Sequence, residues 1–269
     1  MSEPGEELGP AELEQAANVL AEEAGLSLAR GLGPALRDAL LAAARGRGEG
    51  ARLFSRRVAS REPAAVADLL EHAVVVETSF FRHPEQLAAL AAHLGPRPAP
   101  LRLWSAGCAS GEEAYSLAIA MLEAGRGTRG DAVLGTDVSE RALAAARRAA
   151  YGPRALRKVD PAAAARWLEP PDAEGARRPT APVRAQVSFA RHNLVRDPPA
   201  PAGAFDAILC RNVLIYFEPV VAAGVLRRLA DALRPGGALV LGPVELPLAA
   251  AVPLDWVERE GATLLVRPG

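Results

Sequence analysis

The run Leu101–Ala120 constrains this chain more than any other. Leu101, Leu103 and Ser105 alternate as a strand does, Gly107 breaks the alternation, and Tyr115, Leu117, Ala118, Met121 and Leu122 recur at helical spacing just past Gly111. Strand, glycine-bearing turn and helix in that order form the opening unit of an α/β domain and a cradle for a nucleotide-type ligand. Glycine at 107 and 111 lets the backbone turn sharply and is expected to let a ligand approach where a Cβ would stand in the way. The free N–H groups at the helix start would face that ligand.

Two further residues shape the expectation. Glu112 and Glu113 lie in the first helical turn, where they would repel a pyrophosphate and favour a cationic ligand. S-adenosylmethionine fits, because it carries an ammonium and a sulfonium and no phosphate. Some 24 residues beyond Glu113, the run Ala132–Asp137 reads as a second strand ending in an acid. Asp137 is then placed to accept hydrogen bonds from ribose hydroxyls, or to cap the helix predicted over 139–150.

With 269 residues, half of them apolar, the chain can bury a substantial core as one large or two small domains. It has no uninterrupted apolar run near the roughly 18 residues a membrane span needs. The acidic start Met1–Glu7 does not resemble a signal peptide. Cys108 and Cys210 fall in or beside predicted buried strands, so a reduced, cytoplasmic setting is expected. His72, His83, His93 and His192 have no metal-ligand spacing with either cysteine, and no metal is expected.

Charge is balanced overall but unevenly placed. Residues 1–29 hold seven acids and no base, whereas 30–61 hold Arg30, Arg37, Arg45, Arg47, Arg52, Arg56, Arg57 and Arg61 against Asp38 and Glu49. Such a segment is either a solvated helix face or a docking surface for an acidic partner. Nucleic acid is disfavoured, since the whole chain is not basic and no aromatic platform accompanies the arginines.

Along the chain, 10–94 reads as all-helical, with helices starting near Pro10, Pro34 and Pro63. Residues 95–100, Gly-Pro-Arg-Pro-Ala-Pro, read as a stiff polyproline-like linker. From Leu101 strands and helices alternate, which implies a mainly parallel sheet with helices on both faces. The stretch 151–182 interrupts this rhythm as an inserted excursion. Strands follow at 187–190, 205–210 and 238–241, with a helix over 219–233 closed by Arg234-Pro-Gly-Gly237 and a terminal hairpin over 254–267.

Three more runs, Glu77-Thr-Ser-Phe-Phe-Arg82, Arg191-His-Asn-Leu194 and Cys210-Arg-Asn-Val-Leu-Ile-Tyr-Phe217, complete an ordered set with the Gly107 loop and Asp137. Over roughly residues 10–250 the set resembles the CheR-type chemoreceptor methyltransferases, which transfer a methyl group from S-adenosylmethionine to glutamate side chains of receptor signalling helices and release S-adenosylhomocysteine. The resemblance implies an all-helical N-terminal domain over 1–94, then a Rossmann-like α/β methyltransferase domain over 101–269 with a small β-rich insertion at about 151–182.

It also implies roles. Thr78, Arg82 and Gly107 would stand beside the cofactor. Glu113, with Glu112 as neighbour, would take the methionine ammonium, Asp137 the ribose, and Asn193 and Leu194 the adenine surroundings. Arg211 and Tyr216 would face the reacting methyl, Cys210 and Asn212 would line the pocket, and Arg82, Arg211 and Tyr216 would orient the substrate carboxylate. That chemistry needs no strong base, because a glutamate is already ionised at neutral pH. The implied partner is the helical cytoplasmic region of a chemoreceptor, docked on the arginines of 30–61 by a monomeric enzyme.

The sequence departs from the family pattern at Val76, where an asparagine is common, at Ser110 and Ala114, and at Gly242-Pro-Val-Glu245, where Gly-His-Ser-Glu is usual. Two other readings stay open: a methyltransferase acting on another protein or a small carboxylate, and a catalytically silent cofactor-binding module.

Overall fold

A computed structural model describes residues 8–27, 33–126 and 130–269. Four helices come first: α1 (Pro10–Ala24), α2 (Gly33–Arg47), α3 (Ala51–Ala59) and α4 (Pro63–Ala73). Proline opens α1 and α4, where its missing N–H is not needed. The helical reading of 10–94 needs correcting at one place. Residues 74–81 form an extended strap before α5 (Pro84–Leu94). The β-branched run Val74-Val75-Val76 followed by Thr78 disfavours a helix there, and buried Phe80 pins the strap by donating its N–H to Ala155 O at 3.0 Å.

Residues 95–100 are a turn, not an extended linker. Arg126, fully buried and ion-paired to Asp131 at 2.7 Å, donates to the carbonyls of Leu94, Gly95 and Arg97 and gathers the chain around its guanidinium.

Seven strands then make one sheet: β1 (Arg102–Ala106), β2 (Ala132–Asp137), β3 (Val187–Arg191), β4 (Phe205–Cys210), β5 (Leu233–Leu241), β6 (Asp255–Arg259) and β7 (Ala262–Val266). Their order is β3-β2-β1-β4-β5-β7-β6, with β7 alone running antiparallel, to β5 on one side and β6 on the other. This is the Rossmann-like α/β fold expected, and its strand order reverses between β1 and β4, where such sheets bind ligands at the strands' carboxyl ends. β5 starts earlier than predicted. Arg234-Pro-Gly-Gly237 stays in the strand as a bulge, the register passing from Phe205 opposite Leu233 to Ala207 opposite Ala238.

Alternation along the strands splits the core. Trp104, Ala106, Ile208, Cys210, Leu239 and Leu241 face one cluster, and Leu103, Ala207, Leu209, Ala238 and Val240 face the other. The first cluster also holds the apolar stripes of α1–α4 and of α11 (Pro219–Ala232), so the N-terminal helices share a core with one face of the sheet. The second holds α5 and α6 (Glu112–Glu123).

The excursion 151–182 is not β-rich. After α7 (Glu140–Arg148) it forms three short helices, α8 (Pro153–Leu156), α9 (Pro161–Trp167) and α10 (Ala181–Arg184), with only two isolated bridges, Tyr151 with Arg177 and Leu168 with Pro179. Its alanine-rich stretches, prolines at first helical positions and the Asp160 cap on Ala162 and Ala163 favour helical turns. The terminal hairpin turns at Glu260 and Gly261, both with positive φ, as a two-residue turn requires.

Candidate functional site

The loop after β1 folds as three left-handed residues, Gly107 (φ 79°), Ala109 (φ 48°) and Gly111 (φ 94°), separated by one residue each. Glycine suits these φ values, but the second expectation for it is corrected. A Cβ at Gly107 would meet Val213 Cγ2 at 2.4 Å, and one at Gly111 would meet Ala146 Cβ at 2.7 Å and the Tyr151 hydroxyl at 3.0 Å. Side chains of this protein, not a ligand, fill the space that the missing Cβ atoms leave.

Asp137, at the end of β2, accepts the Ala109 N–H on Oδ2 at 2.9 Å and the Ser139 N–H on Oδ1 at 3.0 Å. Burial raises its pKa, and the backbone donors oppose that shift. The cap of α7 is Ser139, whose Oγ accepts from Ala142 N. Asp137 therefore does not cap the helix with its own side chain.

Glu113 stands in the first turn of α6. Its Oε1 accepts from Ser105 Oγ at 2.6 Å and its Oε2 from Arg211 Nε at 2.7 Å, with the Arg211 side chain 1% exposed. Arg211 Nη1 donates to Arg82 O and to Gln86 Oε1, and Gln86 Nε2 donates to Leu241 O at 2.8 Å. A buried guanidinium with a carboxylate, a carbonyl and an amide as partners is fixed in place.

Glu245, fully buried after β5, organises the loop after β4. It accepts from the backbone N–H groups of Asn212, Val213, Ile215 and Gly242, and these donors oppose the rise in its pKa that burial causes. The clamp supports the left-handed Asn212 (φ 59°), whose Oδ1 is buried without a partner among the described residues.

These elements surround one cavity at the carboxyl edge of the sheet, which the ends of α1 and α4 and the strap close from the other side. Of the residues expected at the site, Thr78, Arg82, Gly107, Glu113, Asp137, Asn193, Leu194, Arg211, Asn212 and Tyr216 line it together. Glu112 and Cys210 do not. Glu112 is buried and accepts from Ser110 Oγ at 2.7 Å, and burial raises its pKa. Cys210 is wholly inside the sheet, where burial pushes its thiol pKa well up.

Two lining residues are already committed. The Asn193 side chain donates to Glu23 O on α1 and accepts from Val195 and Arg196 N–H, so it holds α1 against the loop after β3. Arg211 was expected to turn a guanidinium towards the reacting centre, but the pair with Glu113 occupies it, because a buried charge must be satisfied. Arg82 contrasts with both. Its guanidinium has no side-chain hydrogen bond or ion pair among the described residues. The Tyr216 hydroxyl likewise bonds to no protein atom there, and burial raises its pKa, so it stays a donor at neutral pH.

The donor set fits S-adenosylmethionine: the carboxylates of Glu113 and Asp137 beside the β1 loop, a neutral acceptor on Asn212, and no basic residue in that loop to hold a phosphate. A model of the CheR methyltransferase SAM-binding domain matches residues 76–249, more than half of the chain. The chain belongs to the CheR methyltransferase family. S-adenosylmethionine is the cofactor of that domain. Over 210 residues the chain is 38% identical to a probable biofilm formation methyltransferase, WspC, of Pseudomonas putida, covering 72% of this chain and 49% of that one. Over 179 residues it is 37% identical to a chemotaxis protein methyltransferase of Vibrio parahaemolyticus, covering 63% and 64%. A chemotaxis protein methyltransferase of Pseudomonas aeruginosa is 39% identical over 155 residues, 54% of each chain. The chain thus spans about half to two thirds of the length of these relatives.

Sequence reasoning missed four residues that build the site. Gln86 and Glu71 lie in unremarkable helices and leave no local signal. Tyr151, whose hydroxyl donates to Ser110 O at 2.7 Å, holds the β1 loop from the start of the excursion. Glu245 was visible only as the last residue of Gly-Pro-Val-Glu. Glu71 of α4 caps α7 from outside, accepting from Ser139 Oγ and from the N–H groups of Glu140 and Arg141.

The arginines of 30–61 do not form the bare basic surface their count suggests. Arg30 lies outside the described residues. Arg47 pairs with Glu49, Glu62 and Asp68, Arg57 with Glu49 and Glu62, Arg61 with Glu22 and Glu23, and Arg52 with Glu12, while Arg37 donates to Leu8 O. Arg45 and Arg56 alone of the described seven have no such partner. Acids of the N-terminal segment thus neutralise Arg52 and Arg61, while Glu49, Glu62 and Asp68 neutralise Arg47 and Arg57. Among the described residues no group of three potential metal ligands occurs, and no helix is long and apolar enough to cross a membrane.

Proposed function

We propose that the protein transfers the methyl group of S-adenosylmethionine to glutamate side chains in the cytoplasmic helical region of a chemoreceptor, giving methyl esters in adaptation of chemotaxis-type signalling. The observation that carries this reading is the pairing, in one cavity, of a carboxylate-lined crevice with an uncommitted guanidinium, Arg82, and an uncommitted phenol hydroxyl, Tyr216. The chemotaxis methyltransferases among its relatives support the substrate class.

In this reading Glu113 attracts the methionine ammonium, with Arg211 fixing its direction, Asp137 accepts from the ribose hydroxyls, and Leu194 with the backbone at Asn193 borders the adenine. The bound cofactor supplies an electrophilic sulfonium methyl. The protein then has to hold a carboxylate oxygen in line and strip water from it. Arg82 orients the carboxylate by charge-assisted hydrogen bonds and Tyr216 donates one more. Neither moves a proton. Binding the carboxylate too tightly would oppose the reaction, since methylation removes the charge these groups stabilise.

The test is transfer of labelled methyl from S-adenosylmethionine to a purified chemoreceptor cytoplasmic fragment, followed by alkaline treatment and mass spectrometry. Label released by alkali and mapped to glutamates is expected. Cofactor binding without label on the fragment, or label stable to alkali, would overturn the reading.

A further inference from the structure

We propose that the acceptor protein docks on the lip formed by the 74–81 strap and α8, presenting an acidic segment with small apolar side chains next to the methylated residue. This inference rests on the carboxylate reading above, and it moves the docking surface away from the arginines of 30–61.

Arg82 stands at the end of the strap, so the backbone on either side of a carboxylate that reaches it lies over the strap. There Val75 and Val76 are 56% and 36% exposed, adjacent in sequence. Val75 and Glu77 also line the cavity. α8 is fastened to this strap twice, by Phe80 N–H on Ala155 O and by Arg154 Nη2 on Glu77 Oε1 at 2.7 Å. Arg157 Nη1 donates to Arg154 O, which holds the end of that helix together.

Arg154, Arg157 and Lys158, the chain's one lysine, are therefore held exposed beside the lip with Arg82 behind it. The acids near them are Glu77, paired to Arg154, and Asp160, which caps α9. Arg154, then Arg157 and Arg82, hold the Glu77 carboxyl below its usual pKa, as expected where positive charge is in excess. By contrast, most described arginines of α2, α3 and the turn after α3 face acids of their own chain. A surface with two exposed valines beside a basic turn complements an acidic segment that brings small apolar residues to the lip.

Two charge-reversal variants of the full chain separate the surfaces: Arg157→Glu/Lys158→Glu, which leaves the Arg154–Glu77 pair intact, and Arg45→Glu/Arg56→Glu, which reverses the unpaired arginines of α2 and α3. The probe is a chemoreceptor cytoplasmic fragment, its binding read by fluorescence anisotropy and its methylation by initial rates. The α8 variant should raise both Kd and KM about fivefold or more at low salt, with kcat and cofactor affinity unchanged, and the gap should close near 1 M salt, where the screening length falls to about 3 Å. The α2–α3 variant should stay within about twofold of wild type. An α8 variant that binds like wild type, or a larger loss in the α2–α3 variant, overturns the docking surface. If wild type binds the fragment but transfers no methyl, the carboxylate reading falls while the binding comparison still decides the surface. A fragment that neither binds nor is methylated overturns both.

Discussion

The cavity floor and the helices that cover it are built from the same two charged residue types, arginine and glutamate, and use them in opposite ways. On the floor each charge is buried and has several partners: Glu113 with Ser105 and Arg211, Arg211 with Gln86 and the Arg82 carbonyl, Glu245 with four backbone N–H groups. On the cover the pairs are half-exposed and redundant, as with Arg61 between Glu22 and Glu23 at the surface. Buried charges leave their partners stranded when one is removed, whereas exposed ones return to water. A count of charges therefore says little about where charge is available. The Arg82 guanidinium, available because it has no partner among the described residues, lies in neither network.

The largest effect expected breaks the floor. Arg211→Ala strands Glu113 in the crevice and should destabilise the protein by about 3–5 kcal/mol, read by urea unfolding. A loss under about 1 kcal/mol would mean that the floor behaves like the cover.

Arg82→Ala probes the uncommitted group. Methyl transfer should fall about a hundredfold, roughly 2.7 kcal/mol in the barrier, with unfolding unchanged and cofactor affinity nearly so. Equal losses in rate and cofactor affinity would place Arg82 on the cofactor instead.

Asp137→Ala should weaken cofactor binding about tenfold, near 1.4 kcal/mol, measured by calorimetry. Its pH dependence sharpens the point. Burial raises the Asp137 pKa and ribose hydroxyls bind the ionised form, so affinity should be full at neutral pH and fall as pH drops through a value above the usual carboxylate range near 4. The variant should lack that fall. A wild-type profile that stays flat to below pH 4 would remove Asp137 from the contact.

The smallest effect belongs to the cover. Arg61→Ala should cost under about 1 kcal/mol of stability, because both its glutamates are solvated. A larger loss would make the covering helices as dependent on their ion pairs as the floor is.

Much of the fold was legible because it rests on local rules. The predicted strand over 132–137 matches β2, and the alternation from Leu101 and the helix past Gly111 give β1 and α6 within a residue. Prolines marked the starts of α1 and α4, and Ser139 marked α7. The strap was not legible, because its short β-branched run is a weak local signal between two helices, and the contact that fixes it, Phe80 N–H on Ala155 O, comes from a distant part of the chain. Nor was the turn at 95–100, which Arg126 shapes from some 30 residues away.

By itself the sequence determined the α/β order, the glycine turn, the family resemblance and ten of the residues around the cavity, since periodicity, φ preference and ordered motifs are written along the chain. Only the tertiary structure decided which charges are spent and which are free. Arg211 is engaged by Glu113, Asn193 by α1, and most of the arginines of 37–61 by nearby acids, while Arg82 is not. The physical reason is that a charge's availability depends on burial and on partners brought from distant parts of the chain, and neither is encoded at the position of the charged residue itself.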